Sequence, residues 1–129
     1  MKSVHWSSFS FLIFPTGYSC YYRYDSQAFL FSLVNKPGWA PVKLPQTGVY
    51  SYYNSNSIYD CSSYGPTFGG GHDIYIVSYA SSSSNSYTHL GHTYGPPSGY
   101  SYGSTLTYTF LAGTYDFTPD EVETFYETT

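Results

Sequence analysis

Apolar and polar positions alternate along this chain with a period of two wherever the pattern is readable. From Ala28 to Val34 both alternating sets are apolar, Phe29, Phe31 and Leu33 on one side and Ala28, Leu30 and Val34 on the other. That pattern predicts a central strand covered on both faces. Asn35-Lys-Pro-Gly38 follows as a turn, and Trp39 to Leu44 returns as a short strand that Pro41 confines to an edge or an end, completing a hairpin. Ser57 to Asp60 and Asp73 to Val77 read as two further strands, the second β-branched and aromatic. Thr105 to Leu111 sets Leu106, Tyr108 and Phe110 against three threonines, predicting a strand with one wet face. These strands, with glycine turns and no long amphipathic helix, predict a mainly β chain folded as an antiparallel two-sheet β-sandwich.

The connections differ in information. Pro45 to Asn56 is turn-rich, Ser81 to Asn85 has neither periodicity nor apolar content, and Thr88 to Gly103 is a loop that Tyr94, Tyr100 and Tyr102 are expected to pin to the sandwich. The most specific connection joins the strands at Asp60 and Asp73. Tyr64-Gly65-Pro66 is turn chemistry, and three consecutive glycines, Gly69, Gly70 and Gly71, belong where the backbone takes positive φ or approaches another group closely.

Composition narrows the partners. The 129 residues include 18 Tyr and nine Phe, so aromatic residues make up 22% while charged residues make up 9%, well below the usual ~25%. The expected core is aromatic and the surface hydroxyl-rich rather than ionic. With a net charge of −4 and only Lys2, Arg23, Lys36 and Lys43 basic, the chain has no cluster able to neutralise several phosphates, which argues against nucleic acid. No apolar run approaches the ~20 residues of a membrane span. Lys2 before Phe9 to Phe14 and a Gly17-Tyr-Ser19 site makes a short, imperfect signal-peptide pattern, so cytoplasmic residence is favoured and secretion is the alternative. Cys20 and Cys61 lie in no metal or redox motif and are expected as two separate thiols rather than a bridge.

His72-Asp73 beside the glycines is the obvious candidate site, since a histidine titrates near neutral pH. The simpler role for Asp73, at a strand start, is to accept hydrogen bonds from backbone amides of the glycine turn. His89-Leu-Gly-His92 with His72 offers three imidazoles as weak candidates for a metal, without nearby Cys or carboxylate in sequence to complete the set. The glycines are followed by His-Asp and a strand, not by the Lys-Ser/Thr and helix of a phosphate loop. No serine occupies a nucleophile elbow. The expectation is therefore a protein that is not an enzyme and carries no cofactor. Asp120, Glu121, Glu123 and Glu127 form the one dense patch of charge, read as a solvated end or a contact for a basic partner.

Four landmarks together carry a family resemblance: Ala28-Phe-Leu-Phe-Ser-Leu-Val-Asn35, the block Gly65-Pro66-x-Phe68-Gly-Gly-Gly-x-Asp73-Ile-x-Ile76, Phe110-Leu-Ala-Gly113 with Phe117, and Asp120-Glu-Val-Glu-Thr-Phe125. In order and spacing they resemble the TLDc domain of the oxidation-resistance proteins. The match spans residues 24 to 127 and leaves 1–23 unmatched, so residues 24–129 are expected to form a partial domain lacking the family's N-terminal helical part. The resemblance makes the C-terminus a closing strand, with one turn near Pro119 and then an extended Val122 to Tyr126. It implies a protein-interaction domain linked to oxidative-stress protection and to binding of the vacuolar proton ATPase. Gly65, Pro66, Phe68, Gly69, Gly70, Gly71, Asp73, Glu121 and Glu123 are then the motif or contact residues. Two other readings stay open: a secreted structural or adhesive protein rich in tyrosine, serine and glycine, and a sugar-binding β-sandwich whose tyrosines stack on ligand.

Overall fold

The computed structural model describes residues 20–51 and 55–122, together with the backbone of 5–7. Glu123, the extended segment expected through Tyr126, and the signal-like stretch from Phe9 to Ser19 lie outside the described residues.

Two antiparallel sheets organise the chain, with little helix. The smaller has β3 (Phe29–Ser32) at its centre between β1 (His5–Ser7) and β4 (Val42–Leu44). The larger runs in the order β2 (Tyr21–Arg23), β5 (Ile58–Asp60), β6 (Tyr64–Phe68), β7 (Ile74–Val77), β8 (Ser86–Thr88), β9 (Asp116–Phe117). From β5 onward each strand pairs with the next in sequence, so the sheet is a meander to which β2 adds an edge.

The expected hairpin at Asn35 is present, with the Gly38 amide donating to the Asn35 carbonyl at 3.0 Å and Gly38 at φ 75°. Asn35 is fully buried and exchanges two hydrogen bonds with the backbone of Trp39, locking the turn from inside. The strand before it is central but shorter than its pattern predicts. Leu33 and Val34 are exposed, because β3 ends at Ser32 and the chain bends away before their side chains reach cover.

Two stretches depart further. Tyr64-Gly65-Pro66 is not a turn but the body of β6, and the reversal is made just before it, where the Tyr64 amide donates to the Cys61 carbonyl. The register of β6 on β7 slips between Tyr64 and Thr67, so Pro66, which has no amide to donate, sits in the irregular stretch. Gly65 is needed there because a Cβ would lie 2.6 Å from the Ile76 carbonyl oxygen. Thr105 to Leu111 is not a strand: Thr105–Tyr108 is a single α-helical turn, α1, whose N-cap Ser104 accepts from the Thr107 amide. The side chains that looked alternating are sorted by a helical period instead, which buries Thr107, Phe110 and Leu111 and exposes Leu106. Near Pro119 the chain bends at Asp120 without forming a turn of helix.

One core joins the sheets. Leu30 and Leu44 from the smaller sheet meet Ile58, Phe68, Ile74, Ile76 and Phe117 from the larger, with Leu90, Tyr94, Phe110 and Leu111 from the loops. Each such side chain contributes about 1.5–3 kcal/mol on burial. Contrary to the aromatic core that composition suggests, this core is largely aliphatic with three phenylalanines, and Tyr94 is the buried tyrosine among the described residues. The remaining tyrosines are elsewhere. A polar tie also links the sheets: Ser57 Oγ donates to Gln46 Oε1 at 2.7 Å, while Gln46 Nε2 donates to the carbonyls of Asp25 and Ala28.

The two cysteines are bridged rather than free. Antiparallel pairing of β2 with β5 sets Tyr21 opposite Asp60, which places Cys20 opposite Cys61 one step further along the register. Sequence separation of 41 residues conceals a neighbour relation that the sheet creates. Closing a loop of that size is worth roughly 4 kcal/mol in chain entropy. Reduction, or the double change Cys20→Ala with Cys61→Ala, should therefore lower unfolding free energy by about 2–4 kcal/mol in urea titrations. A midpoint unmoved by reductant would show that the bridge constrains nothing.

Candidate functional site

The β6–β7 connection is built around Asp73. Its side chain is completely buried, and its carboxylate accepts from the backbone amides of Gly91 (3.1 Å), Thr93 (3.1 and 3.2 Å) and Tyr94 (3.0 Å). The amides it serves thus belong to a loop some twenty residues downstream, not to the adjacent glycine turn. The glycines accommodate this arrangement. At Gly69, with φ 86°, a Cβ would sit 1.9 Å from Asp73 Oδ1, and at Gly70 one would collide with Asn56 and His92 side chains at 2.5–2.6 Å. The Gly70 amide also donates to Thr93 Oγ1 at 2.9 Å, and Tyr94 Oη donates to the Ser57 carbonyl at 2.8 Å. Burial pushes the Asp73 carboxyl up to about 7, against the opposing pull of the Tyr94, Thr93 and Gly91 amides.

His72 completes the turn at φ 64°, the one described non-glycine residue in the left-handed region. That backbone costs roughly 1–2 kcal/mol for a residue with a Cβ. The strain carries the imidazole onto the outer face of the larger sheet, where its ring centroid lies 4.8 Å from Tyr59, 5.8 Å from Tyr64, 6.0 Å from Tyr75 and 6.3 Å from Tyr22. Burial lowers its pKa, so it is neutral at pH 7.

Those tyrosines are part of a band that crosses the whole sheet. Successive ring centroids are 4.8 Å apart for Tyr22–Tyr59, 5.3 Å for Tyr59–Tyr64, 4.9 Å for Tyr64–Tyr75, 5.1 Å for Tyr75–Tyr87 and 5.4 Å for Tyr87–Tyr115. Strand register explains the row: Tyr22 faces Tyr59 across β2–β5, and Tyr75 faces Tyr87 across β7–β8. The band continues through Tyr108, His89 and Tyr102 to His92 and Tyr50. Most of its members are half-buried; Tyr22 and Tyr50 at its two ends, and Tyr115 within it, are the more exposed. Burial raises the phenols of Tyr22, Tyr75, Tyr102, Tyr108 and Tyr115 and pushes Tyr87 up to about 12, so these hydroxyls stay protonated.

The other candidates divide clearly. His72, His89 and His92 all belong to the band, but among the described residues no three His, Cys, Asp or Glu side chains gather as a metal site. Phe68 is core and Gly65 and Pro66 lie in β6. Glu121 is exposed near Tyr79, beyond the far end of β7 from the glycine turn, so the two predicted contact regions are not one surface. The band itself escapes a reading of composition. Its signal was local: Ile58-Tyr59-Asp60, Ile74-Tyr75-Ile76 and Ser86-Tyr87-Thr88 each place a tyrosine between two inward residues.

No protein-family model, curated protein or solved structure matches this chain. Among the described residues no helix is long and apolar enough to cross a membrane.

Asp73→Ala leaves three buried amides without an acceptor and should cost about 3–5 kcal/mol of stability, read by urea unfolding. A change below ~1 kcal/mol would mean that the 91–94 loop holds itself. The pH dependence follows from the raised carboxyl. The folded state binds the Asp73 proton more tightly than the unfolded chain, whose value is near 3.8, so this contribution is complete below that pH and lost as pH rises through about 7. Thermal midpoints should fall between pH 4 and pH 7, and Asp73→Asn should flatten that slope.

Proposed function

We propose that the two sheets close as a β-sandwich and that the chain is a non-catalytic binding module whose aromatic band takes a neutral polysaccharide. The shared core of Leu30, Leu44, Ile58, Phe68 and Ile74 supports the closure. The observation that carries the ligand class is the unbroken row from Tyr22 to Tyr115, with every neighbouring ring within 5.4 Å. A sugar ring presents an apolar C–H face and a rim of hydroxyls, and a phenol matches both with its ring face and its donor. A row of such rings suits a polymer rather than a single small molecule. With 9% charged residues and a net charge of −4, the chain offers little to an anionic polymer. The buried Asp73, occupied by backbone amides, supports a scaffold role rather than a catalytic one. The Cys20–Cys61 bridge favours an oxidising compartment, and so the secreted alternative over the cytoplasmic one.

A protein partner is the second reading, favoured by one hollow of about 360 Å³ that brings Asp120 and Glu121 together with the exposed Tyr79 and Val122. Oxidative-stress protection and proton-ATPase contact belong to this reading through the family resemblance alone.

The purified chain should be retained on an insoluble neutral glycan such as cellulose, chitin or β-1,3-glucan, and retention should survive high salt. Tyr75→Ala or Tyr87→Ala should weaken binding roughly 3- to 10-fold each, the loss of one aromatic contact. Tyr24→Ala, exposed in the β2–β3 connection, should leave it unchanged. Absence of retention on all three glycans overturns the polysaccharide reading, whereas binding to a protein that Glu121→Lys abolishes would establish the second.

A further inference from the structure

The tyrosine row ends on a phenol with a proton acceptor in place. Tyr115 passes to Tyr108 at 5.7 Å between centroids, and Tyr108 Oη lies 2.5 Å from His89 Nε2. The imidazole stacks on Tyr102 and is held edge-on to Tyr108, so its orientation is set from two sides. Burial lowers the pKa of His89 and so favours the neutral ring. The tautomer that carries its proton on Nδ1 leaves Nε2 to accept from the Tyr108 hydroxyl. Near pH 7 the pair is therefore a neutral phenol donating to a neutral imidazole.

Removing one electron from a phenol makes its proton strongly acidic. A phenol without an acceptor becomes a radical cation in a half-buried site, which low dielectric disfavours, whereas one bonded to a base passes its proton in the same step. We infer that Tyr108 with His89 is the chain's preferred site of one-electron oxidation, and that the row Tyr22–Tyr59–Tyr64–Tyr75–Tyr87–Tyr115 relays oxidising equivalents to it. In the terminal step a one-electron oxidant, or the neighbouring Tyr115 radical, takes an electron from Tyr108. The O–H bond breaks, its proton moves to His89 Nε2, and a neutral tyrosyl radical and an imidazolium remain. When the Tyr115 radical is the acceptor it regains its own phenol with a proton from solvent. Tyr87 is the link between the two halves of the row, touching Tyr75 on one side and Tyr115 on the other. This inference is independent of the polysaccharide reading.

The test is photo-oxidation of the whole chain by a ruthenium polypyridyl complex with persulfate, in the presence of a nitroso spin trap, with adducts mapped by mass spectrometry. Tyr79 at 62% exposure and Tyr24 at 54% are the most exposed tyrosines among the described residues, so accessibility alone would direct labelling to them. The expected result is that Tyr108 carries more adduct than either, and labelling that follows exposure overturns the inference. His89→Phe keeps a ring but removes the acceptor and should lower the Tyr108 adduct by about tenfold or more, with His89→Gln as the second variant if the first fails to fold. An unchanged adduct overturns the role of His89. Tyr87→Phe should lower labelling at Tyr108 and raise it at Tyr75 and Tyr22, and labelling at Tyr108 that does not fall overturns the relay.

Discussion

A single buried carboxylate ties the loops of this protein to its sheet. Asp73 accepts from Gly91, Thr93 and Tyr94, and so holds the 91–94 loop against the start of β7. That loop in turn holds the β4–β5 connection, because the amides of Gly48, Val49 and Tyr50 donate to the carbonyls of Thr93, Gly91 and His92. Tyr94, brought in by the same loop, fills the core and caps the Ser57 carbonyl. An uncompensated charge in such a place would be expensive, and its amide donors make it tolerable. The glycine turn is shaped by this same group, since Asp73 Oδ1 stands where a side chain at Gly69 would be.

The larger sheet then solves a problem of surface. Its inner face buries Ile58, Phe68, Ile74 and Ile76. Its outer face would ordinarily carry charged side chains, but the chain has few of them, and tyrosines cover it instead. Each ring lies against the next, tilted or edge-on except for Tyr87 and Tyr115, which stack, and each contact adds about 0.5–1.5 kcal/mol beyond buried area. The same row therefore rigidifies the sheet and presents ring edges, faces and hydroxyls to solvent. At the edge, β2 is secured to β5 by the disulfide and by Arg23, whose Nε donates to buried Asp60 Oδ2 at 2.6 Å. His72 joins the row only because the backbone accepts a left-handed residue after three glycines.

Particular stretches show how far residue patterns reach. The Asn35–Gly38 hairpin was legible because proline, glycine and a buried asparagine each act within a few residues. The glycine block was legible as a place of positive φ and close approach, and Asp73 as a structural acceptor. What Asp73 accepts from was not, because its partners lie 18 to 21 residues away and nothing local distinguishes their amides. Tyr64-Gly65-Pro66 has the composition of a turn, yet the pairing of β6 with β7 imposes an extended path on it. At Thr105–Tyr108 a two-residue period and a helical one fit the same few side chains, and the Ser104 cap with the inward pull of Phe110 and Leu111 selected the helix.

By itself, then, the sequence determined the β character, the positions of several turns, the low charge and the abundance of phenols, all of which depend on residue type and short-range sterics. Tertiary structure alone decided which tyrosines meet, that Cys20 and Cys61 face one another, and which loop Asp73 supports. The reason is the same in each case. Strand pairing sets register between residues remote in the chain, and a shift of one position would send every one of these side chains to the opposite face.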